Sequence, residues 1–451
     1  MNNLKKIITL CLPLVMGNLT AHAQQAWSLK QCIDYAIEHN LTIKQQESVC
    51  EQNEIELNTA KWSRLPNLNG SASHTFNFGR SLQSDNTYRS LNTQNTGLNL
   101  TTNIPLFTGM QIPNNIALSK LNLKAAIEDL NKAKEDISIQ VTSSFLQVLF
   151  NEELKKVAQE QVLLSKEMLR QKEAYFENGK ASKSEWLEAQ ARVAQDQLSA
   201  VQVQNNYHLA LLELSQLLEL PSPEDFQIVS PEADEASFIK ELTAPEDIYC
   251  EAIRNKPSIK AARYRLEGAA HNIRIAQSAY YPQLSFGAGL STNYFNVSGQ
   301  ENHSFSSQLR DNFSQYIGFS LSVPLFNRLA TRNRVRNARV QQNILNWQLE
   351  DSKKALYKEI QQAYYNAVSA ESQYQSSRTA DQAAEASFVL MKEKYSNGKA
   401  NATEYNEART AWMKAVSDRI QAKYDYLFRT KILDFYKGCL LYTSPSPRDT
   451  R

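Results

Sequence analysis

Five histidines lie beyond residue 23, His39, His74, His208, His271 and His303, and three cysteines lie between residues 24 and 438, Cys32, Cys50 and Cys250. These are the side chains that hold metals, relay protons or act as nucleophiles. Their spacing supports none of those roles. No CxxC, HExxH, GxSxG, P-loop or GxGxxG motif occurs, so the expectation is a protein that is not an enzyme, with no cofactor and no metal. Cys32 and Cys50 could pair in an oxidising compartment, but an odd number of cysteines without metal spacing favours idle thiols. The spacing that does recur belongs to Asn, Gly, Lys and Pro. Asn178-Gly179-Lys180-Ala181 returns as Asn397-Gly398-Lys399-Ala400, and Pro66, Pro105, Pro282 and Pro324 recur in matching surroundings.

Both ends of the 451-residue chain are set aside before its charge is read. Residues 1–23 have Lys5 and Lys6, an apolar run from Ile7 to Met16, and Ala21-His22-Ala23 before Gln24. That pattern predicts a secretory signal peptide, since the run is shorter than the ~20 apolar residues of a membrane span. Residues 439–451 back-translate to a string resembling a transposase sequencing adapter and follow a helical pattern still running at Tyr436; they are excluded as an artefact. Of 49 basic residues, removing Lys5, Lys6, Arg448 and Arg451 leaves 45; of 47 acidic ones, removing Asp449 leaves 46. A net charge near −1 gives no case for nucleic-acid binding.

The remainder runs one train of motifs twice. Ala36-Ile37, Ile43-Lys44, Ala60 and Pro66-Asn67-Leu68 recur at an offset of 216, as Ala252-Ile253, Ile259-Lys260, Ala276 and Pro282-Gln283-Leu284. Pro105-Leu106-Phe107, Glu185, Ala189 and Tyr207 recur at an offset of 219, as Pro324-Leu325-Phe326, Glu404, Ala408 and Tyr426. The three-residue change falls in a loop between Leu68 and Pro105. The predicted organisation is a signal peptide over 1–23, a first repeat over 24–220, a Pro- and acid-rich connection over 221–245, a second repeat over 246–438 and the artefact over 439–451.

Gly and Pro are absent from 114–178, 180–220, 325–397 and 399–437, which are rich in strong helix formers. In 180–220, Leu187, Ala191, Ala194, Leu198 and Val201 recur at alternating steps of four and three, a narrow coiled-coil seam. A continuous helix of 60 or more residues extends ~90 Å and cannot wrap a compact core, so it must lie against neighbours. Elsewhere the period is two. Apolar residues alternate with small polar ones over ~67–79, ~95–105, ~283–295 and ~314–324, four strands close to the ~9–11 residues that cross a bilayer at a tilt. A half-exposed soluble sheet has the same alternation; the signal peptide and uncharged strand centres favour the membrane.

The order helix, Pro, strand, loop, strand, Pro-Leu-Phe, long helix, Gly turn, helix, given twice, resembles the TolC-like outer-membrane efflux protein family. The carriers are Pro66-Asn67-Leu68, Pro282-Gln283-Leu284, the two Pro-Leu-Phe segments, and the turns Phe176-Glu-Asn-Gly179…Glu185 and Tyr395-Ser-Asn-Gly398…Glu404. The resemblance implies a mainly α protein with a membrane β-barrel portion: a long α-helical coiled-coil barrel plus four strands per chain in a shared, trimeric, twelve-stranded barrel. Four strands cannot close a barrel and open edges are forbidden in lipid; two chains give eight strands and a filled interior, three leave a lumen. It also implies a homotrimer in the outer membrane of a Gram-negative bacterium, in contact with outer membrane lipid, serving as the exit duct of a tripartite efflux or type I secretion system with a periplasmic adaptor and an inner-membrane pump. Asn178, Gly179, Lys180, Ala181, Asn397, Gly398, Lys399 and Ala400 would be the adaptor-contact tips, and Pro66, Pro105, Pro282 and Pro324 the helix–strand junctions. The sequence departs from some relatives by having one acid, Glu393, in Phe388–Glu393 before the second tip, where others carry acidic rings. A periplasmic coiled-coil adaptor without a pore is the alternative; it has no need of four lipid-length strands.

Overall fold

A computed structural model of the chain describes residues 27–82, 86–90, 92–222, 226–229 and 242–438. The expected signal peptide, the expected artefact and most of the connection lie outside these residues. In chain order the elements are α1 (Leu29–His39), α2 (Leu41–Trp62), β1 (Asn67–Asn77), β2 (Arg80–Leu82), β3 (Tyr88–Ser90), β4 (Thr93–Phe107), α3 (Gln111–Glu177), α4 (Lys183–Leu217), α5 (Pro245–Asn255), α6 (Pro257–Ser278), β5 (Gln283–Val297), α7 (Phe305–Asp311), β6 (Ser314–Ser322), α8 (Ala330–Ser396) and α9 (Ala402–Tyr436). Corresponding helices of the two repeats are equal in length: 11 residues for α1 and α5, 22 for α2 and α6, 67 for α3 and α8, 35 for α4 and α9. None is apolar enough to cross a membrane among the described residues.

The described residues divide into two compact units, one drawn from 44–133 and 249–359, the other from 27–43, 134–222, 226–229, 242–248 and 360–438. The first holds the sheet. Its four main strands are antiparallel in the order β1-β4-β5-β6, so β1 and β6 are the edges. Their register places Leu68, Thr102, Ala288 and Ile317 in one row and Asn69, Thr101, Gly289 and Tyr316 in the next. Because strand side chains alternate between faces, one face carries most of the Leu, Ile, Phe and Ala, interrupted by Thr and Gln, and the other most of the Asn, Ser and Gly, with Phe295 and Tyr316 among them. No Asp, Glu, Lys or Arg occurs in any of the four strands. A short hairpin, β2 with β3, and α7 occupy the loops at the end of the sheet away from its helices.

Beyond Ser291, β5 outruns β6, and side-chain amides take the missing strand's place. Gln308 accepts from the Phe295 amide (2.9 Å) and donates to its carbonyl (3.0 Å); Asn302 does the same for Val297 (3.0 and 2.9 Å), and Asn312 donates to the Asn293 carbonyl (2.7 Å). A primary amide has the donor and acceptor of a peptide group, so each serves as one rung of a ladder.

The second unit is helical. Along α8, Ile360, Ala363, Ala367, Ala370, Tyr374, Asp381 and Phe388 are buried at steps of three, four or seven, a seam that alternates small residues with rings. Tyr374 stacks on Tyr426 of α9 at 6.0 Å, between Ala370 and Ala422. The seam expected in α4 lies elsewhere: Leu187, Ala191, Ala194, Leu198 and Val201 are all exposed, and α4 buries Val193, Asp196, Ala210, Leu211, Leu214 and Ser215 instead. The four-three pattern identifies a stripe that needs cover without saying which helix covers it; among the described residues no helix does. Cys32, Cys50 and Cys250 are all thiols, and burial pushes that of Cys32 up to about 12.

Candidate functional site: a two-faced sheet and paired hairpin tips

In the helical unit both long helices end in the same turn. At the end of α3, Gly179 has φ +71°, its amide donates to the Phe176 carbonyl (2.9 Å), and the Lys180 amide donates to the Tyr175 carbonyl (2.7 Å). At the end of α8, Gly398 has φ +68°, and the Gly398 and Lys399 amides reach the carbonyls of Tyr395 (3.1 Å) and Lys394 (2.8 Å). These are Schellman turns, which need a left-handed residue and therefore select glycine. Asn178 and Asn397 add a side-chain bond to the carbonyls of Ala174 (2.7 Å) and Glu393 (2.9 Å). The turns thus bring Asn178, Gly179, Lys180 and Ala181 to one tip and Asn397, Gly398, Lys399 and Ala400 to the other, with Lys180 and Lys399 exposed.

The return helices are capped differently. Asn401 caps α9 through the Glu404 amide (2.9 Å), and the Glu404 carboxylate accepts from the Asn401 amide (3.0 Å), closing a capping box. Ser182 caps α4 through the Glu185 amide (3.2 Å), but the Glu185 carboxylate turns to Lys172 of α3 at 2.7 Å. The Lys172 ammonium also lies 5.3 Å over the Tyr395 ring, joining the hairpins. Burial pulls the Lys172 ammonium down, and its bonds to Glu185 and Tyr395 outweigh that, leaving it above its ordinary value. The same bond holds the Glu185 carboxyl below the usual carboxylate range.

Further along the helices, Arg409 of α9 and Asp196 of α4 form an ion pair of 2.9 Å, with 1% and 3% of their side chains exposed. Arg409 also donates to the Gln161 carbonyl (3.0 Å), whose side chain donates to Asp196 (3.0 Å), and Arg192 approaches the same carboxylate at 3.4 Å. Sequence reading missed this pair. Its partners are 213 residues apart, and neither has a counterpart in the other repeat, where Gln190 and Ala415 stand.

In the sheet unit, Pro66 and Pro282 immediately precede β1 and β5, and Pro324 lies two residues beyond β6. Pro105 differs from the expected junction by lying inside β4, where the pairing slips between Pro105 and Phe107. A proline is tolerated there because a bulge leaves a rung unmade, and pairing with β1 has already ended at Asn103. A cavity of about 570 Å³ in the helical unit carries Asp418 and Asp425, which are paired with Lys414 and Arg429 at 3.1 Å each. Among the described residues, no group of three His, Cys, Asp or Glu is placed to hold a metal.

Solved structures share this arrangement. The chain superposes on the Campylobacter jejuni CmeC outer membrane channel with a TM-score of 0.74 at 20% identity, over 92% of this chain and 87% of that one. It superposes on the outer membrane protein VceC of Vibrio cholerae with a TM-score of 0.72 at 16% identity, over 91% and 96%. The fold is therefore that of an outer-membrane channel subunit. The profile described as Outer membrane efflux protein matches residues 32–219 and again 248–435, and the chain belongs to that family, one of channels rather than enzymes. Alkaline protease secretion protein AprF of Pseudomonas aeruginosa is 23% identical over 323 residues, 69% of this chain and 63% of AprF. The match thus spans less than two thirds of that relative's length.

Proposed function

We propose that this chain is the outer-membrane exit duct of a tripartite efflux or type I secretion system. Three copies share a twelve-stranded barrel, β6 of each pairing with β1 of the next, with the apolar face towards lipid and the Asn-, Ser- and Thr-rich face lining the lumen. The observation that carries this is the register of the four strands, which gathers most apolar side chains on one face and most uncharged polar ones on the other and leaves both edges open. An open edge in hydrocarbon leaves unsatisfied backbone groups, each costing several kcal/mol. The exposed α4 stripe from Leu187 to Val201 supports association, as a face for a helix of a neighbouring copy. Substrate passes by diffusion, and AprF's name makes protein secretion as eligible as efflux.

The test is the mass of the protein in mild detergent followed by single-channel recording. A conducting trimer is expected; a conducting monomer, or recovery in the soluble periplasm, would sink the reading. The tips are proposed to dock a periplasmic adaptor linked to an inner-membrane pump. Lys180→Glu with Lys399→Glu should change stability by less than ~0.5 kcal/mol, as exposed substitutions do. Repeated on six tips of a trimer, the reversal should nevertheless abolish export in cells while conductance in isolated membranes is kept. Unchanged export at normal expression would reduce the tips to plain turns.

A further inference from the structure

Charge is distributed unevenly about the sheet. The chain within ten residues of the strand ends that meet helices covers 57–66, 108–117, 273–282 and 323–332. These stretches hold no Asp or Glu and five cations, Lys61, Arg64, Arg274, Arg328 and Arg332. Ten helical residues rise about 15 Å, so the cations form a band beside the sheet rather than a scatter along the helices. All five are exposed, and none is ion-paired among the described residues. The opposite end of the sheet carries both signs, with Arg310 paired to Asp311 at 3.2 Å.

Duplication does not account for the cations of the second repeat. At the offset of 219, Arg328, Arg332, Arg334 and Arg336 stand where the first repeat has Gly109, Pro113, Asn115 and Ala117. Arg328 is also held against its preference. It and Leu329 have φ of +53° and +63°, the left-handed turn that Gly109 and Met110 make at +59° and +68°. Left-handed backbone disfavours a residue with a Cβ, and strain of this kind clusters at ligand-binding positions.

Between its charges this end of the sheet is apolar. Trp62, Leu65, Tyr280, Tyr281 and Phe326 are exposed there, Trp62 by 61% and Phe326 by 79%. They adjoin the exposed apolar face that holds Leu68, Ile317 and Phe319. Aromatic side chains bordering an apolar band sit at headgroup depth in a bilayer. Acyl chains lying on the band would put a lipid phosphate level with the cations. Pairing of β6 with β1 between copies also sets Arg328 and Arg332 near Lys61 and Arg64, a cluster of one sign that calls for an anion.

We infer that this end of the sheet is a collar that binds glycerophospholipids with anionic headgroups in the periplasmic leaflet, their phosphodiester held by Lys61, Arg64, Arg328 and Arg332. This rests on the channel reading, which puts the helices in the periplasm and the apolar face in lipid. The planar fork of arginine matches phosphate oxygens, and the ammonium of a zwitterionic headgroup is repelled by the same charges.

The experiment is lipid retention by the full chain. Protein in mild detergent is given equal phosphatidylglycerol and phosphatidylethanolamine, passed over a sizing column, and its lipids are extracted and weighed by mass spectrometry. The parent should keep the anionic lipid at least about ten-fold better. Salt at about 1 M should abolish the preference, since screening then acts within ~3 Å. Each cation at an anionic surface is worth roughly five-fold, so K61Q/R64Q/R328Q/R332Q should lose the preference while oligomer mass and helix content stay unchanged. Arg328→Gly restores the residue of the first repeat and relieves the turn. It should match or exceed the parent in thermal stability while retaining roughly five-fold less phosphatidylglycerol. Equal retention of both lipids by the parent, or an unchanged preference in either variant, overturns the proposal. Displacement of phosphatidylglycerol by millimolar inorganic phosphate assigns the cations to a free anion and overturns it as well. A parent recovered in the soluble periplasm refutes the channel reading itself, a distinct outcome.

Discussion

Pro105-Leu106-Phe107 and Pro324-Leu325-Phe326 are the same three residues in the two repeats, yet they have different structures. The first is strand, ending β4 against β5; the second is unpaired, and Leu325 is 92% exposed against 50% for Leu106. The hairpin tips show the same thing more finely. Glu404 closes a capping box on its own helix, while Glu185 leaves its box open to reach Lys172. Met391 stands where the second repeat would need that lysine. In both cases local sequence permits two outcomes and the available partner decides. β4 has neighbours on both sides and β6 on one, and the first hairpin has Lys172 within reach of its cap. Duplication set the lengths of the helices and the glycine turns that end them, whereas partners set the caps and the strand ends beside them.

The strongest way to break the comparison is to remove a buried ion pair that joins the two repeats. Arg409→Met should destabilise by about 3–5 kcal/mol, because Asp196 would remain buried without its partner, a clear loss in thermal or denaturant midpoint of the detergent-solubilised protein. Adding Asp196→Leu should recover most of the loss, since an apolar pair is often as stable as a buried ionic one. No recovery would mean that the surrounding network, including Gln161, depends on the charge.

A smaller effect tests the part the repeats share. Gly179→Ala and Gly398→Ala should each cost roughly 1–2 kcal/mol, the penalty of left-handed backbone for a residue with a Cβ. No atom lies within 4 Å of the added methyl at either site, so the two losses should agree. A marked difference in hydrogen-exchange protection between the tips would show that the turns are not equivalent.

The smallest effect separates the caps. Glu185→Gln should weaken the first tip by ~0.5 kcal/mol, the value of a partly exposed ion pair. Glu404→Gln should cost less, since glutamine also closes a capping box. Acid discriminates further. Glu185 is held below its ordinary value, so its contribution is complete above that value and lost as pH falls through the lowered one. Lys172 is held above its ordinary value, so its share is complete below that value and lost only as pH rises through the raised one. The first tip should therefore loosen at acid pH in the parent, and Lys172→Met should remove that dependence, as read by hydrogen exchange at the α3–α4 turn.

Much of this fold was legible in the sequence wherever a pattern repeats within a few residues. Gly179 and Gly398 marked the reversals of the long helices, and the alternation from Leu284 to Tyr294 marked β5 and its faces. What could not be read was choice among partners. The stripe from Leu187 to Val201 is a seam by spacing, yet within the chain it is bare. The middle of the seam along α8, from Ala363 to Tyr374, is built of Ala and Tyr, and so raises a weak hydrophobic signal. Arg409 and Asp196 each sit among polar neighbours, and nothing local distinguishes them from solvated charges. The β2–β3 hairpin and α7 are too short for periodicity to register.

The row of amides beside β5 has a consequence for what can approach this end of the sheet. A strand running past its neighbour is an invitation to β-augmentation, in which an extended peptide from another molecule takes the vacant place. Asn302, Gln308 and Asn312 occupy those hydrogen-bonding positions from within the chain. Along the overhang of β5 the Phe295 and Val297 peptide groups and the Asn293 carbonyl are therefore already occupied, which leaves a foreign segment fewer rungs to take.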